Sequence, residues 1–452
     1  MDLPISSPTR MLGTLKHRWS VGNNYLAGIT TGDWIRLLRE NRFAVDPAYW
    51  HRAAFITLVS GMNSISRRKE ERLFDDEVAA ATIQPPLFIL GHWRSGTTHL
   101  HNLLARDTRQ FAFANTYQVV NPHTFLCTEE TNTRRFAWMV PKTRPMDEME
   151  LNFLVPQEDE FAPCLMSLRS LYLGINFPRS EDEYARYLTF EGVSAEEITQ
   201  WKSAFIWFLK KLSYKYQRPL VLKSPPHTAR IKLLLEMFPD ARFVHIHRHP
   251  YQVFQSCRHY YDTAVWFSYL QRPDLPGIDG RIIRRYTKLH DAFFAGRDLI
   301  PAGHFHELSF DELERDPVGA MQTLYQTLGL TGFPAFQPEL RRYTDSLAGY
   351  RKNRFDELEP VMRERIANDW QRSFAEWTIS HESTAPTNRP RPPRPFPAGK
   401  PARVPARRAR TGAGIRSHLW RHRALPVRPA GRAFAQSPGS RHAGAPEARR
   451  EL

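Results

Sequence analysis

The residues best suited to chemistry lie in a short loop bounded by two glycines. Residues 91–98 read GHWRSGTT and follow an apolar run at 86–90 that predicts a buried strand. Leucines then recur at helical spacing from Leu100, so the loop joins a strand to a helix. Backbone N–H groups and a helix N-terminus converge on such a loop, and both attract anions. The segment therefore predicts an anion-binding site with Arg94 as its basic side chain.

Basic side chains also follow two later runs that predict strands. Lys223 comes after the apolar residues 219–222, and Arg248 comes after residues 242–247. Residues 305–310 predict a fourth strand. Strands that alternate with helices predict an α/β fold, an open parallel sheet with helices on both faces. Because ligands in such sheets bind at the carboxyl ends of the strands, we expect Arg94, Lys223 and Arg248 to lie together there.

A run of carboxylates offers a second kind of chemistry. Residues 157–160 read QEDE, directly before apolar residues. Such a run can be a solvated helix end, or it can place a carboxylate in a cleft as a general base. Glu158 and Glu160 are therefore candidate bases, and His227, four residues after Lys223, is a third.

The distribution of charge divides the chain. The formal net charge is +16, but residues 384–452 hold 16 lysines and arginines and only two acidic residues. The rest is close to neutral, which argues against a specific nucleic-acid binder. The sequence predicts a helical N-terminal layer at 1–80, an α/β domain at 81–383 and a disordered Pro/Arg-rich tail at 384–452. We expect the N-terminal layer to serve as packing support, with a membrane-surface role as the alternative.

Cysteine usage and hydropathy indicate the compartment. Three cysteines without metal-like spacing suit a reducing environment. The first residues have no apolar core of the length that a signal peptide needs, and no run approaches about 18 apolar residues. These features predict a cytoplasmic protein without a transmembrane helix.

In combination, the motifs resemble those of sulfotransferases that use 3′-phosphoadenosine 5′-phosphosulfate (PAPS). The sequence R-S-G-T-T at 94–98 resembles the family's 5′-phosphosulfate loop. Arg248, followed eight residues later by Ser256, resembles its 3′-phosphate site, and Lys223 falls beside the reacting sulfuryl group. The resemblance covers about residues 85–355. The pair of motifs R-S-G-T-T and K-S-P-P-H is typical of a bacterial-type branch, not of the cytosolic phenol and steroid enzymes.

The resemblance implies a P-loop-type fold and PAPS as the sulfuryl donor, with no metal required. Arg94 and Lys223 would act on the reacting group. The cytosolic branch has a catalytic histidine at the position of Pro225, so here the base must lie elsewhere, and we favour the two glutamates over His227. The glycine-containing C-terminal phosphate motif of that branch is also missing. The implied donor contacts are Arg94, Ser95, Gly96, Thr97, Thr98, Arg248, Ser256 and, from a basic cluster at 350–354, Arg351 and Lys352.

Other functions remain as alternatives. A P-loop kinase or NTPase would need a lysine at the position of Thr97. A polyanion-binding protein would act through the basic tail, although the tail could also lack any selected structure. The acceptor is expected to be a hydroxyl or amine of a small molecule, lipid or glycan. Acceptor pockets are built from variable loops, so the sequence does not choose among them.

Overall fold

The computed structural model describes residues 15–136, 143, 147, 149, 152–347, 349, 353 and 355–380. Two of the predicted phosphate contacts, Arg351 and Lys352, and the tail at 384–452 lie outside this part of the chain. The predicted domain boundaries therefore stay predictions.

A five-stranded parallel sheet lies at the centre of the described residues. Its strands are β1 (Leu87–Leu90), β2 (Ala112–Phe113), β3 (Leu220–Lys223), β4 (Arg242–His247) and β5 (Phe305–Ser309), in the order β2-β3-β1-β4-β5. All neighbouring strands pair in parallel. Four of the strands agree with the predicted runs. The edge strand β2 was not predicted, because two residues are too short to produce a periodic pattern.

The sheet is buried on both faces because its strands are apolar at successive positions. Phe88 and Leu90 of β1 belong to the core on one face, and Leu87 and Ile89 belong to the core on the other. Helices cover both faces, which confirms the predicted α/β class. They are α1 Thr31–Glu40, α2 Trp50–Ala80, α3 Thr97–Leu104, α4 Thr116–Val120, α5 Phe125–Arg135, α6 Phe161–Ser167, α7 Leu173–Asn176, α8 Glu181–Ala185, α9 Ala195–Tyr216, α10 Ile231–Met237, α11 Pro250–Thr263, α12 Ile278–Gly296, α13 Phe310–Arg315, α14 Pro317–Thr327, α15 Phe333–Ser346, α16 Pro360–Asp369 and α17 Gln371–Glu376.

One predicted helix is interrupted. The sequence predicts a continuous helix over residues 181–211, but the structure has two helices, α8 and α9, separated by nine residues. Phe190 and Gly192 adopt φ values of 60° and 69° in this connection, left-handed conformations that a right-handed helix cannot contain. Ser194 then starts α9 as an N-cap, since its side chain accepts a hydrogen bond from the backbone N–H of Glu197. The prediction followed apolar spacing and overlooked these local signals.

Residues 15–80, the part of the N-terminal region that the structure describes, are mostly helical, and α1 packs against α2. Residues of this region also contact the segment before α7, because the Tyr25 hydroxyl donates a 2.8 Å hydrogen bond to the carbonyl of Tyr172. Within the described residues, no helix has both the length and the apolar character needed to cross a membrane.

Candidate active site

The loop between β1 and α3 has two positions whose backbone conformation and close contacts allow only glycine. Gly91 has a φ of +145°, and a Cβ there would lie 2.6 Å from the carbonyl oxygen of Ile246. Gly96 has a φ of +104°, and a Cβ there would lie 2.3 Å from the ring of Phe310. Both positions therefore require glycine. The hydroxyl of Ser95 donates a 2.8 Å hydrogen bond to the carbonyl of His92, which closes the loop from within.

Two loops that are far apart in sequence meet at the carboxyl ends of β1 and β4. The Nε of Arg94 donates a 2.8 Å hydrogen bond to the Oγ of Ser256, which lies on α11. One terminal nitrogen of Arg248 lies 3.4 Å from the carbonyl oxygen of Arg94. A cavity of about 610 Å³ opens at this junction, and its lining includes Arg94, Gly96, Thr97, Thr98, Arg248 and Ser256. The predicted phosphosulfate loop and the predicted 3′-phosphate site thus share one cavity.

Lys223 lies between this cavity and the acidic run at 157–160. Its Nζ lies 3.5 Å from the hydroxyl of Thr98, which lines the cavity, and 2.9 Å from Oε1 of Glu158. The other oxygen of Glu158 accepts a hydrogen bond from the hydroxyl of Tyr172. Burial, and secondarily the nearby Glu158, raise the pKa of Tyr172 well above its usual value, so this hydroxyl remains a donor. Glu158 is the carboxylate of the acidic run that lies beside Lys223 and, through it, near the loop.

The other two proposed bases lie elsewhere. Glu160 is fully buried in a bidentate ion pair with Arg230, at 2.7 and 3.1 Å, and it also accepts a 2.7 Å hydrogen bond from Ser170. His227 is fully buried as well, and its Nε2 contacts the carboxylate of Asp159. Both side chains are inaccessible, whereas the Glu158 side chain keeps 15% of its surface exposed. Their geometry is that of internal charge pairs that support the chain around the site.

Three neighbours of the cavity have no counterpart in the predicted set. Asp147 pairs with Arg94 at 2.9 Å, Tyr172 contacts Glu158, and the ring of Phe310 lies 4.5 Å from the guanidinium carbon of Arg248. Phe310 also packs against the loop at Gly96, so a single ring contacts both cationic loops. No motif in the sequence marks these residues, because their roles depend on segments that only the fold brings together.

The histidines near the loop are poor candidates for a base. Burial lowers the pKa of His92 to about 3 and, with the nearby charge of Lys223, lowers that of His101 to about 3. Burial also lowers the pKa of His99. A lowered pKa makes each of them a weak proton acceptor, and the two that are most buried lie outside the cavity lining.

An open parallel sheet with two cationic loops at its strand ends is typical of proteins that bind nucleotides, including enzymes that transfer a group from a nucleotide donor. A profile of the Sulfotransferase family matches residues 85–335, which is more than half of the chain. The chain belongs to this family, so the predicted enzyme class is confirmed, and it transfers sulfuryl groups. Use of PAPS as the donor is general to the family.

Individual relatives agree with this assignment. The chain is 38% identical over 351 residues to the omega-hydroxy-beta-dihydromenaquinone-9 sulfotransferase Stf3 of Mycobacterium tuberculosis and of Mycobacterium bovis, covering 77% of this chain and 88% of the relative. Among solved structures, sulfotransferase STF9 from Mycobacterium avium matches with a TM-score of 0.56 and 19% identity, over 78% of this chain and 97% of that one. STF1 from Mycobacterium tuberculosis H37Rv matches with a TM-score of 0.53 and 18% identity, over 80% and 96%. These two structures have the same fold.

Proposed function

We propose that this sulfotransferase moves the sulfuryl group of PAPS to a hydroxyl at the end of a long-chain lipid. The observation that carries the proposal is the 2.8 Å hydrogen bond between Arg94 and Ser256, because it joins two cationic loops around one cavity. A donor with a phosphate at each end of its nucleoside needs two such loops within reach of each other. A nucleoside triphosphate needs only one.

The fit of the donor can be assigned residue by residue. Arg94, Gly96, Thr97 and Thr98 would hold the 5′-phosphosulfate, with Ser95 shaping the loop from within. Arg248 and Ser256 would hold the 3′-phosphate, next to the N-terminal half of α11. Arg351 and Lys352 stay predictions for the same phosphate. The bound donor supplies the sulfuryl group, and 3′,5′-adenosine bisphosphate (PAP) is the leaving group.

Glu158 is the proposed general base. Its carboxylate would take the proton of the acceptor hydroxyl as the new S–O bond forms and the bond between sulfur and the phosphate oxygen breaks. Lys223 contacts both Glu158 and Thr98, so its charge lies between the base and the phosphosulfate loop. It would stabilise negative charge on the leaving phosphate, and Arg94 would do the same from the loop. Tyr172 would hold the carboxylate in place.

The acceptor class is supported by the relatives and by the chemistry beside the base. The relatives at 38% identity are named for a menaquinone-type substrate with an ω-hydroxyl. Aromatic rings surround Tyr172, among them Trp93 and Phe161 with centroids at 6.3 and 4.9 Å. An apolar chain with one terminal hydroxyl fits a wall of this kind.

Calorimetry and a transfer assay test the proposal. PAP should bind in the absence of Mg²⁺, and ATP should bind at least about tenfold more weakly with or without Mg²⁺, since it lacks the 3′-phosphate contact. With labelled PAPS, a hydroxyl-terminated isoprenoid quinone should accept sulfate faster than a simple phenol. Tighter, Mg²⁺-dependent binding of ATP would contradict the donor assignment. Preference for the phenol would contradict the acceptor class and leave the donor assignment intact.

A further inference from the structure

The long helix α2 has its apolar and polar faces in an unusual arrangement. Trp50, Leu58, Met62 and Ile65 are 62%, 71%, 63% and 71% exposed. Their spacing of three, four and eight residues puts them on one side of the helix. No charged residue occurs between positions 53 and 66, so this strip continues over about four turns without interruption. We call these four residues the outer strip.

The opposite side of α2, which packs against the protein, buries the apolar Ile56 and Val78 but also several polar residues. Arg52 is fully buried and donates hydrogen bonds to the carbonyls of Trp266 and Tyr269 at 2.9 and 2.8 Å. Ser60 is buried, and Asn63 donates to two carbonyls of the N-terminal layer. A surface helix of a globular protein normally keeps its apolar stripe toward the core and a polar side toward solvent. An exposed apolar strip of this length therefore indicates an apolar partner.

Charged and aromatic residues mark the two ends of the outer strip. Arg68, Lys69 and Arg72 continue the same side of the helix in the next two turns, and all three are exposed. Among the described residues, none of these three cations forms an ion pair. At the other end, the Trp19 ring packs against His51 at 5.1 Å between centroids and is 71% exposed. Exposed tryptophans, an apolar strip and unpaired cations together form the pattern of a helix that lies in a bilayer interface.

We propose that the outer strip of α2 docks on the surface of an anionic lipid bilayer. Leu58, Met62 and Ile65 enter the boundary between headgroups and acyl chains, and Arg68, Lys69 and Arg72 contact anionic headgroups. The charge of the three cations favours such a surface over an apolar protein partner, because the latter would leave them without counter-charges. This inference goes beyond the proposed function and does not depend on the identity of the acceptor.

The experiment is flotation of the full chain with vesicles in the absence of donor and acceptor. Vesicles of phosphatidylcholine with about one-third phosphatidylglycerol should carry the protein upward, and pure phosphatidylcholine vesicles should carry less. The variant Leu58→Ser/Met62→Ser/Ile65→Ser should lower the partition coefficient for the mixed vesicles at least about tenfold. The variant Arg68→Gln/Lys69→Gln/Arg72→Gln should lose most of the preference for the anionic lipid.

A matched control uses apolar residues exposed elsewhere. Leu299 and Val361 are 54% and 79% exposed, so Leu299→Ser/Val361→Ser removes exposed apolar area without touching α2. This variant should float like the parent protein. Affinity for PAP, measured by calorimetry, verifies that each variant is folded and keeps the donor question separate. If the triple serine variant loses PAP binding, the single variants Leu58→Asp and Ile65→Asp take its place, since one exposed substitution is tolerated.

Two results would overturn the proposal. In the first, the triple serine variant floats as well as the parent protein, so that another surface or the basic tail accounts for binding. In the second, neither protein floats, and sedimentation velocity shows a parent dimer that the serine variant converts to a monomer. The outer strip would then be an interface between two copies of the chain.

Discussion

The guanidinium of Arg94 donates a hydrogen bond of 2.8 Å to the hydroxyl of Ser256, although 162 positions separate the two residues. Arg94 has a φ of 70°, a left-handed backbone conformation that costs free energy in a residue other than glycine. The loop after β1 adopts this conformation where it meets α11. A strained residue whose side chain joins two cationic loops is typical of a functional site.

Arg94→Ala is expected to reduce turnover at saturating PAPS at least about tenfold, because it removes a charge partner of the leaving phosphate. Initial rates with labelled PAPS measure the effect. Arg94→Lys is the matched control: it keeps the charge but loses the bond geometry, so its rate should fall between those of the parent and alanine proteins. An alanine variant with the parent rate would exclude Arg94 from catalysis.

Glu158→Gln is expected to lower kcat about 10²–10⁴-fold, since the amide cannot accept the proton of the acceptor hydroxyl. The affinity for PAP should change little, because Glu158 does not line the cavity. Single-turnover rates and calorimetry measure the two quantities on the same preparation. Full activity of this variant would mean that another group is the base.

Glu160→Gln is expected to act on stability. Glu160 and Arg230 form a fully buried ion pair, and removal of one charge leaves the other without compensation. The free energy of unfolding should fall by about 3–5 kcal/mol, as measured by urea denaturation. Glu236→Gln is the control, since Glu236 pairs with Lys202 near the surface and should contribute about 1 kcal/mol or less. Equal stability of the two variants would argue against a structural role for Glu160.

Arg248→Ala is expected to weaken PAP binding by about 1.5–3 kcal/mol, the usual contribution of a hydrogen bond to a charged group. Binding of adenosine 5′-monophosphate, which has no 3′-phosphate, should change much less. Calorimetry with both ligands measures the difference. If the parent protein bound the two nucleotides equally well, the assignment of Arg248 to the 3′-phosphate would be wrong.

Acid should destabilise the fold through its buried histidines. Burial lowers the pKa of His92, His101 and His123 to about 3, whereas a histidine in the unfolded chain titrates near about 6.5. Below pH 6.5 the unfolded state therefore binds more protons, and stability falls as the pH falls toward 3. Each histidine contributes about 1.4 kcal/mol per pH unit within this window. The slope of unfolding free energy against pH between 6 and 5 measures the total from all buried histidines, and His101→Phe should reduce that slope by about 1.4 kcal/mol per pH unit.

The sequence determined four of the five strands and the basic residues that follow three of them. Apolar runs followed by basic residues are local signals, and three of them marked the ends of β1, β3 and β4. The topology of parallel strands then required Arg94, Lys223 and Arg248 to lie at one edge. The family resemblance was also recoverable from sequence, because R-S-G-T-T and K-S-P-P-H are contiguous motifs.

The tertiary structure decided which partner each of several neighbouring residues contacts. Glu158, Asp159 and Glu160 are equivalent in sequence, yet Glu158 contacts Lys223, Asp159 contacts His227, and Glu160 contacts Arg230. The outer strip of α2 likewise became visible only when the side with Arg52 and Ser60 proved to be the buried one. Periodicity shows that a helix has two faces, but only the packing of the rest of the chain determines which face remains in contact with solvent.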